Sequence, residues 1–276
     1  MSRYRFALRP KWIFSHLFVL ALVSAMLWAG FWQLNRLQQK KDRNARVEAR
    51  TAEPPLTDAG LPAPGAFDAA NNVEFRRVRV TGTYQVDQEV LVRSRSFETS
   101  PGSWILTPLT LADGTAVVVN RGWIPNPGDI RSVPAAYRAP TGRVTVSGLA
   151  RLTETRGRFG STDPSSGVLT DLARADIGRL DDQVPEDLRP MWVQLTTQRP
   201  PAARLPRPVP QPELDEGPHF SYAMQWFIFT TVAVVGYPLI LHRRAGEVAI
   251  EELGDPEEGS APPDPNPDLD PAPGDD

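Results

Sequence analysis

Two long stretches without a formally charged side chain lie near the two ends of this 276-residue chain. Residues 12–32 form the first stretch, which is 21 residues long, and residues 220–241 form the second, which is 22 residues long. A helix of that length spans roughly 31 Å, which matches the hydrocarbon core of a bilayer. Tryptophan and tyrosine occur toward the ends of both stretches, as is typical of the membrane interface. The sequence therefore predicts a membrane protein with two transmembrane helices.

A cleaved signal peptide is the alternative for the first stretch. Its apolar part exceeds the usual apolar length of about 7–15 residues, and no A-x-A cleavage site follows it, so we expect an uncleaved anchor. Two spans place both termini on the same side of the membrane. Arg243 and Arg244 follow the second span and acidic residues precede it, which favours cytoplasmic termini. Residues 42–218 would then lie outside the cytoplasm.

Composition narrows the possible classes of protein. The chain has no cysteine, which excludes disulfides, thiolate metal sites and covalent haem attachment through C-x-x-C-H. Residues 1–50 carry a net charge of +8 and residues 242–276 one of −9, a pattern found in proteins that contact nucleic acid or membranes. The two spans favour the membrane, so we predict contact with membrane lipid and not with nucleic acid. The 27 arginines against 3 lysines fit a bacterium with a GC-rich genome, and hence a bacterial cell membrane.

Between the spans the hydrophobic period changes to two, which indicates β-strands. An Asp113–Gly114 pair between two such runs predicts a tight hairpin, because glycine tolerates a positive φ. We therefore predict an α+β membrane protein, in which two transmembrane α-helices flank an extracytoplasmic antiparallel β-sheet or barrel-like domain. The predicted strands are residues 78–83, 89–97, 103–111, 115–120, 143–152 and 191–197.

The predicted organisation has five parts. Residues 35–50 are expected to prolong the first span as a polar helix, and residues 169–188 to form a partly helical insertion. Residues 245–276 are expected to be disordered because they are acidic and rich in proline. The parts are a cytoplasmic N-terminus at 1–11, a first span at 12–32, an extracytoplasmic β-rich domain at 33–218 with a proline-rich linker at 199–212, a second span at 219–241, and a cytoplasmic tail at 242–276.

Motifs for catalysis are absent from the sequence. There is no G-x-S-x-G, no H-E-x-x-H and no P-loop, and none of the three histidines lies within residues 42–218. A carboxylate enzyme remains open, but no acidic pair is singled out by its surroundings. We therefore predict a protein that is not an enzyme.

The second span opens with a histidine beside large aromatic residues, in the string HFSYAMQWF. At helical spacing five residues fall on one face, namely His219, Tyr222, Ala223, Trp226 and Thr230. An imidazole at the membrane edge can bind haem iron, with the rings packing against the porphyrin. The competing interpretation is an interfacial aromatic anchor without a cofactor. For His16 a hydrogen bond between helices is the favoured interpretation over metal binding, and His242 belongs to a basic cap beside Arg243.

Two basic patches could meet the propionates of a haem. Trp32, Arg36 and Lys40 follow one another at intervals of four residues at the end of the first span, where a snorkelling basic rim is the alternative. Arg121, in the string NRGWIP, could hold a carboxylate, or it could belong to a turn that only shapes the β domain.

Five strings in this order resemble the Surfeit-locus protein 1 family, the assembly factors of haem–copper cytochrome c oxidase. They are GFWQLNRLQQK at 30–40, RRVRVTGTY at 76–84, GSWILTPLTLADG at 102–114, VVVNRGWIP at 117–125 and HFSYAMQWF at 219–227. The resemblance implies two spans around an external domain, no catalysis, and delivery of haem a to oxidase subunit I with His219 as the matching haem ligand. The chain departs from the family pattern just before this histidine, where it has Glu216-Gly217-Pro218.

Three hypotheses for the function follow. In the first, the protein is a non-enzymatic assembly factor that presents haem a, using His219 as the iron ligand, Tyr222 and Trp226 as packing rings, and Arg36 or Arg121 for the propionates. In the second, it is a scaffold or chaperone of the respiratory chain that binds oxidase subunits or haem a synthase without touching haem. In the third, it is a membrane-anchored sensor unrelated to respiration.

Overall fold

The computed structural model describes residues 4–126, 128, 130–158, 160–201 and 206–253, and for residues 249–253 it describes only the backbone. These residues divide into two compact units, one made from the chain up to Gln39 and from Glu216 onward, the other from Lys40–Asp215. The helices are α1 (Pro10–Ala52), α2 (Phe67–Ala70), α3 (Ile177–Asp181) and α4 (His219–Leu253). The strands are β1 (Arg77–Tyr84), β2 (Val90–Phe97), β3 (Ser100–Leu111), β4 (Ala116–Pro125), β5 (Arg143–Leu152), β6 (Asp171–Leu172) and β7 (Leu188–Arg199).

The first unit is an antiparallel pair formed by α4 and the N-terminal part of α1. His219 lies opposite Gln33 at one end, and Tyr237 lies opposite His16 at the other. The less exposed residues of both helices recur at alternating intervals of three and four, which is the spacing of a left-handed helix–helix seam. They include Val19, Val23, Met26, Gly30 and Gln33 on α1, and His219, Ala223, Trp226, Thr230, Ala233 and Tyr237 on α4.

Both helices are long and apolar enough to cross a membrane, over Pro10–Ala52 and His219–Val248. Their large apolar side chains face outward; Phe14 is 74% exposed and Trp28 is 69% exposed. The core helix of a water-soluble protein would bury such residues, so the exposed rings favour a lipid environment. The predicted polar extension of the first span is confirmed, because α1 continues without a break to Ala52.

The second unit is built on a seven-stranded mixed sheet in the order β1-β5-β7-β4-β3-β2-β6. The β4–β7 and β2–β6 pairs are parallel, and the other pairs are antiparallel. Strand β1 also pairs with β3 over three residue pairs, from Gly82–Leu111 to Tyr84–Leu109. The predicted α+β class and the two flanking helices are confirmed. The prediction of a purely antiparallel sheet is wrong, because the sheet is mixed. Closure of the sheet into a barrel stays a prediction.

The burial of side chains differs between the strands. Outward and inward residues alternate along β1, whereas nine of the ten residues of β4 are buried. Both faces of β4 are covered, because Val117 and Val119 pack into one hydrophobic core and Ala116 and Val118 into another. The main core joins β1, β3, β4, β5 and β7 through residues such as Val80, Leu109 and Val193. A second core packs α3 against the sheet through Ile177 and Leu180.

All six predicted strands are present, and the predicted hairpin at Gly114 has φ 84°. Residues 169–188 contain the short β6 as well as α3. The expectation of disorder from residue 245 is wrong for residues 245–253, which continue α4. The reason is that this segment contains Ala, Glu, Ile and Leu, which are compatible with a helix. Residues 254–276 lie outside the described residues.

Candidate functional site

The imidazole of His219 is held through one of its two nitrogens. Its Nδ1 lies 2.8 Å from Oε1 of Gln33, on the facing helix α1. Because a carbonyl oxygen only accepts hydrogen bonds, Nδ1 is the donor in this contact, and in the neutral imidazole Nε2 then keeps its lone pair. Nε2 has no hydrogen-bond partner among the described residues. A histidine held at one nitrogen by an acceptor, with the other nitrogen open, has the arrangement of a metal-ligating histidine with its supporting hydrogen bond.

Space beside this nitrogen depends on Gly217. A Cβ added there would lie 3.5 Å from Nε2 and 3.4 Å from Cδ2 of His219. The φ of Gly217 is +72°, a conformation that side-chain-bearing residues rarely adopt. Glycine therefore turns the chain into α4 and leaves the open nitrogen without a side chain against it.

The residues predicted to share a face with His219 differ in burial, since some lie in the seam between the helices and one lies beside it. Ala223 and Thr230 are buried in the seam, and Trp226 is half-buried. Tyr222 is 48% exposed beside the seam. Tyr222 thus presents an exposed ring one turn from the imidazole, while Trp226 lies two turns away and partly within the helix contact.

Close packing of the two helices keeps Gln33 within reach of His219. A Cβ on Gly30, one turn before Gln33, would lie 2.7 Å from the ring of Phe227. Phe31 and Phe227 also meet edge to face, with centroids 5.5 Å apart. The small residue lets the helices approach closely, as is common in membrane helix pairs.

The other two histidines have different surroundings. Both ring nitrogens of His16 are engaged, with Nδ1 2.7 Å from the hydroxyl of Tyr237 and Nε2 3.1 Å from the carbonyl oxygen of Ala7. His16 therefore offers no free lone pair, and the predicted interhelical hydrogen bond is present. Nδ1 of His242 lies 3.3 Å from the hydroxyl of Tyr4.

Arg36 is exposed one helical turn beyond Gln33. Its Nη1 donates to Oε1 of Gln39 at 3.0 Å, and the rest of its guanidinium has no partner in the part of the chain that the structure describes. Trp32, at the preceding position of the predicted stripe, is 50% exposed, and Lys40 is half-buried. Arg36 can therefore meet an anion on the side of α1 that carries Gln33.

Arg121 lies inside the β domain, in line with the second of its two interpretations from the sequence, a residue that only shapes this domain. Its side chain has no exposed surface, and Nη1 donates to Oε1 of Glu89 at 2.7 Å. Glu89 also accepts from the hydroxyl of Thr107 and the backbone N–H of Ala139. A guanidinium enclosed in this way offers no exposed donor to a propionate, so in this structure Arg121 supports the interior of the β domain.

Burial dominates the electrostatics of this ion pair. It raises the pKa of the Glu89 carboxyl, which the charge of Arg121 opposes, and it lowers the pKa of the Arg121 guanidinium, which Glu89 opposes. Burial also raises the pKa of the neighbouring Tyr84 hydroxyl. Within the described part of the chain, Nε and Nη2 of Arg121 and Oε2 of Glu89 have no hydrogen-bond partner. Such a pair tolerates the loss of one partner poorly, because the remaining charge is left buried and uncompensated.

No group of three or more His, Asp or Glu side chains among the described residues is arranged to hold a metal ion. A metal at His219 would therefore need ligands that the group bound there brings with it, as a porphyrin does. Sequence reasoning placed Gln33 in the motif at 30–40 but missed its contact with His219, and it missed Glu89 altogether. A polar side chain just after an uncharged span was the available signal for Gln33.

Comparison with known proteins identifies the family. A model described as the SURF1 family matches residues 20–231. The chain is 28% identical over 259 residues to an uncharacterized SURF1-like protein of Mycobacterium tuberculosis, with 93% of each chain covered. It is 35% identical over 144 residues to a SURF1-like protein of Monosiga brevicollis, covering 47% of this chain and 52% of that protein. It is 29% identical over 149 residues to Surfeit locus protein 1 of Homo sapiens, covering 47% of each. The family model covers both helices of the His219 site and the β domain between them, and this chain belongs to the SURF1 family.

Proposed function

We propose that this protein is a non-enzymatic assembly factor for haem–copper cytochrome c oxidase, which binds haem a and presents it for insertion into subunit I. The SURF1 family is associated with cytochrome c oxidase assembly. The observation that carries the haem part of the proposal is the open Nε2 of His219, with Nδ1 held by Gln33 at 2.8 Å.

The residues around His219 fit a haem as cargo. The imidazole of His219 would supply a nitrogen ligand to the iron, and Gln33 would hold it in one tautomer and orientation. The exposed ring of Tyr222 offers a surface for packing a porphyrin, and the guanidinium of Arg36 offers donors to a propionate. Bound haem supplies the iron that His219 ligates, and the chain contributes holding and orientation. Membership of an assembly-factor family and the absence of catalytic motifs in the sequence favour a role without catalysis.

The scaffold hypothesis has its own supporting observation. Apolar rings such as Phe14, Phe18 and Trp28 project from α1 away from the seam, and they are available to other membrane helices as well as to lipid. In this alternative the protein holds oxidase subunits or haem a synthase and carries no haem.

The test is a comparison of cell membranes with and without the gene, by reduced-minus-oxidised spectra together with oxidase activity. We expect the deletion strain to contain oxidase subunit I with less haem a. Full haem a occupancy and normal oxidase activity in that strain would reject the assembly role. A second measurement, the Soret band of the protein purified from cells that make haem a, separates the two hypotheses; an assembly defect in the deletion strain with no Soret band in the purified protein would favour the scaffold.

A further inference from the structure

Three neighbouring strands of the β domain carry exposed arginines and no acidic residue. Strands β1, β5 and β7 contain six arginines and neither Asp nor Glu. Four of these side chains are exposed: Arg77 and Arg79 on β1, Arg143 on β5 and Arg199 on β7. The strands are neighbours in the order β1-β5-β7, and Arg143 lies opposite Thr83 and Arg199 opposite Thr145. Because alternate residues share a face, the four arginines lie on one positively charged face of the sheet.

These four arginines lack the counter-ions that strand arginines have elsewhere in this unit. On β2, Arg93 pairs with Asp163 and Asp171, and Arg95 pairs with Glu154. The buried Arg121 on β4 pairs with Glu89. Within the described residues none of the four exposed arginines forms an ion pair, and the bond that Arg77 makes is to the backbone carbonyl of Glu53. The face therefore keeps its charge available for an anion from outside the chain.

A cavity of about 470 Å³ lies at one end of this face. Arg77 and Arg79 both line it, and they are two residues apart on β1, which puts their Cα atoms about 7 Å apart on the same side of the strand. Across the ladder Arg79 pairs with Ser147 and Arg77 with Leu149. Thr196, Gln211 and Pro55 complete much of the wall. The cavity combines two guanidiniums, hydroxyl and amide donors, and some apolar surface, and its volume is typical of small-molecule sites.

We propose that this cavity binds a small molecule that bears a phosphate group. Two guanidiniums match the charge of a phosphate monoester, and their forked N–H groups suit its oxygens. The hydroxyls of Ser147 and Thr196 add neutral donors, while Leu149 and Pro55 face the organic part of the ligand. A soluble phosphate ester and the headgroup of an anionic phospholipid share this chemistry. The proposal is independent of haem binding at His219, since it concerns the other structural unit.

The test is isothermal titration calorimetry on the full-length protein in detergent. The probes are inorganic phosphate, glycerol 3-phosphate and succinate, and the lipid arm uses dihexanoyl phosphatidylglycerol against dihexanoyl phosphatidylcholine. The variant R77Q/R79Q removes the two cations of the cavity. The matched control R143Q/R199Q makes the same change of charge on the same face, at residues that do not line the cavity.

We expect the wild-type protein to bind glycerol 3-phosphate more tightly than succinate. The variant R77Q/R79Q should weaken the binding of glycerol 3-phosphate at least tenfold, and the control R143Q/R199Q should weaken it less than threefold. The single variant Arg79→Gln removes no hydrogen bond or ion pair of the described structure, so it keeps the test valid if the double variant folds poorly; it should weaken binding severalfold. Binding of dihexanoyl phosphatidylglycerol alone, lost in R77Q/R79Q, would identify the phosphate as that of a lipid. No binding of any phosphate probe, equal losses in both double variants, or preference for succinate would overturn the proposal.

Discussion

His219 and Arg121 are polar side chains that the sequence suggested for the same ligand, and the structure places them in opposite situations. His219 is half-buried at the start of α4, and one of its nitrogens is left open. Arg121 is enclosed in the β domain and paired with Glu89. The first arrangement suits binding, because a lone pair is oriented and accessible. The second suits stability, because its charge is compensated inside the domain and its donors cannot reach an external group.

The largest expected effect is on His219. In His219→Ala we expect the haem content of the purified protein to fall to background, because the axial nitrogen is lost. The measurement is the Soret absorbance per protein after purification from cells that make haem a. His16→Ala is the matched control, since both nitrogens of His16 are engaged in the helix pair, and it should keep its haem. Equal haem in the His219 variant and the wild type would refute the assignment of this ligand.

Substitution of Arg121 should have a large effect on the stability of the β domain and not on haem binding. Arg121→Met leaves Glu89 buried without its partner, which should lower the stability of the β domain by about 3–5 kcal/mol. Hydrogen exchange of the β3 and β4 amides in the full-length protein measures this loss. In Glu89→Leu/Arg121→Met, which removes both charges, the loss should be much smaller than the sum of the two single losses.

Haem content of the folded Arg121→Met protein should stay at the wild-type level. If haem were lost while hydrogen exchange stayed unchanged, the contrast between the two residues would break down and Arg121 would belong to the haem site.

Gln33 should have an intermediate effect on haem binding. Gln33→Leu removes the acceptor that holds Nδ1 of His219, and the loss of such a supporting bond weakens metal binding by about 10–100-fold. Titration of the haem-free protein with haem checks this affinity. Asn35→Leu is the control, since it removes an exposed amide from the same helix, whereas the described hydrogen bond of His219 is to Gln33. Similar affinities for the two variants would mean that Gln33 does not orient the imidazole.

The smallest expected effect is at Arg36. An exposed ion pair contributes about 0.2–1 kcal/mol, so Arg36→Gln should weaken haem binding by up to about fivefold. The weakening should shrink as salt is added, because salt screens exposed charges. Arg46→Gln removes an exposed arginine further along α1 and should leave the affinity unchanged. A salt-independent loss at Arg36 would point to packing and not to charge.

Sequence reasoning succeeded where local pattern decides the structure. The uncharged stretches became the apolar parts of α1 and α4, and the alternating runs became strands. It went less far for β4 and β7, whose parallel pairing depends on a connection through residues 126–187 that no local pattern encodes. It also ended the strand at residue 120 and put Arg121 in a turn, whereas β4 continues to Pro125. It could not foresee that Glu89, 32 residues earlier, would neutralise Arg121.

By itself the sequence determined the two apolar helices, the strand-rich segment between them, and the histidine that opens the second helix. These features depend on charge and hydrophobic period over short windows, where the chain interacts mainly with solvent or lipid. Only the tertiary structure decided which nitrogen of His219 stays open, that both nitrogens of His16 are engaged, and that Arg121 is enclosed. Each of these outcomes depends on a hydrogen-bond partner that is distant in the sequence and is brought close only by helix packing or strand pairing.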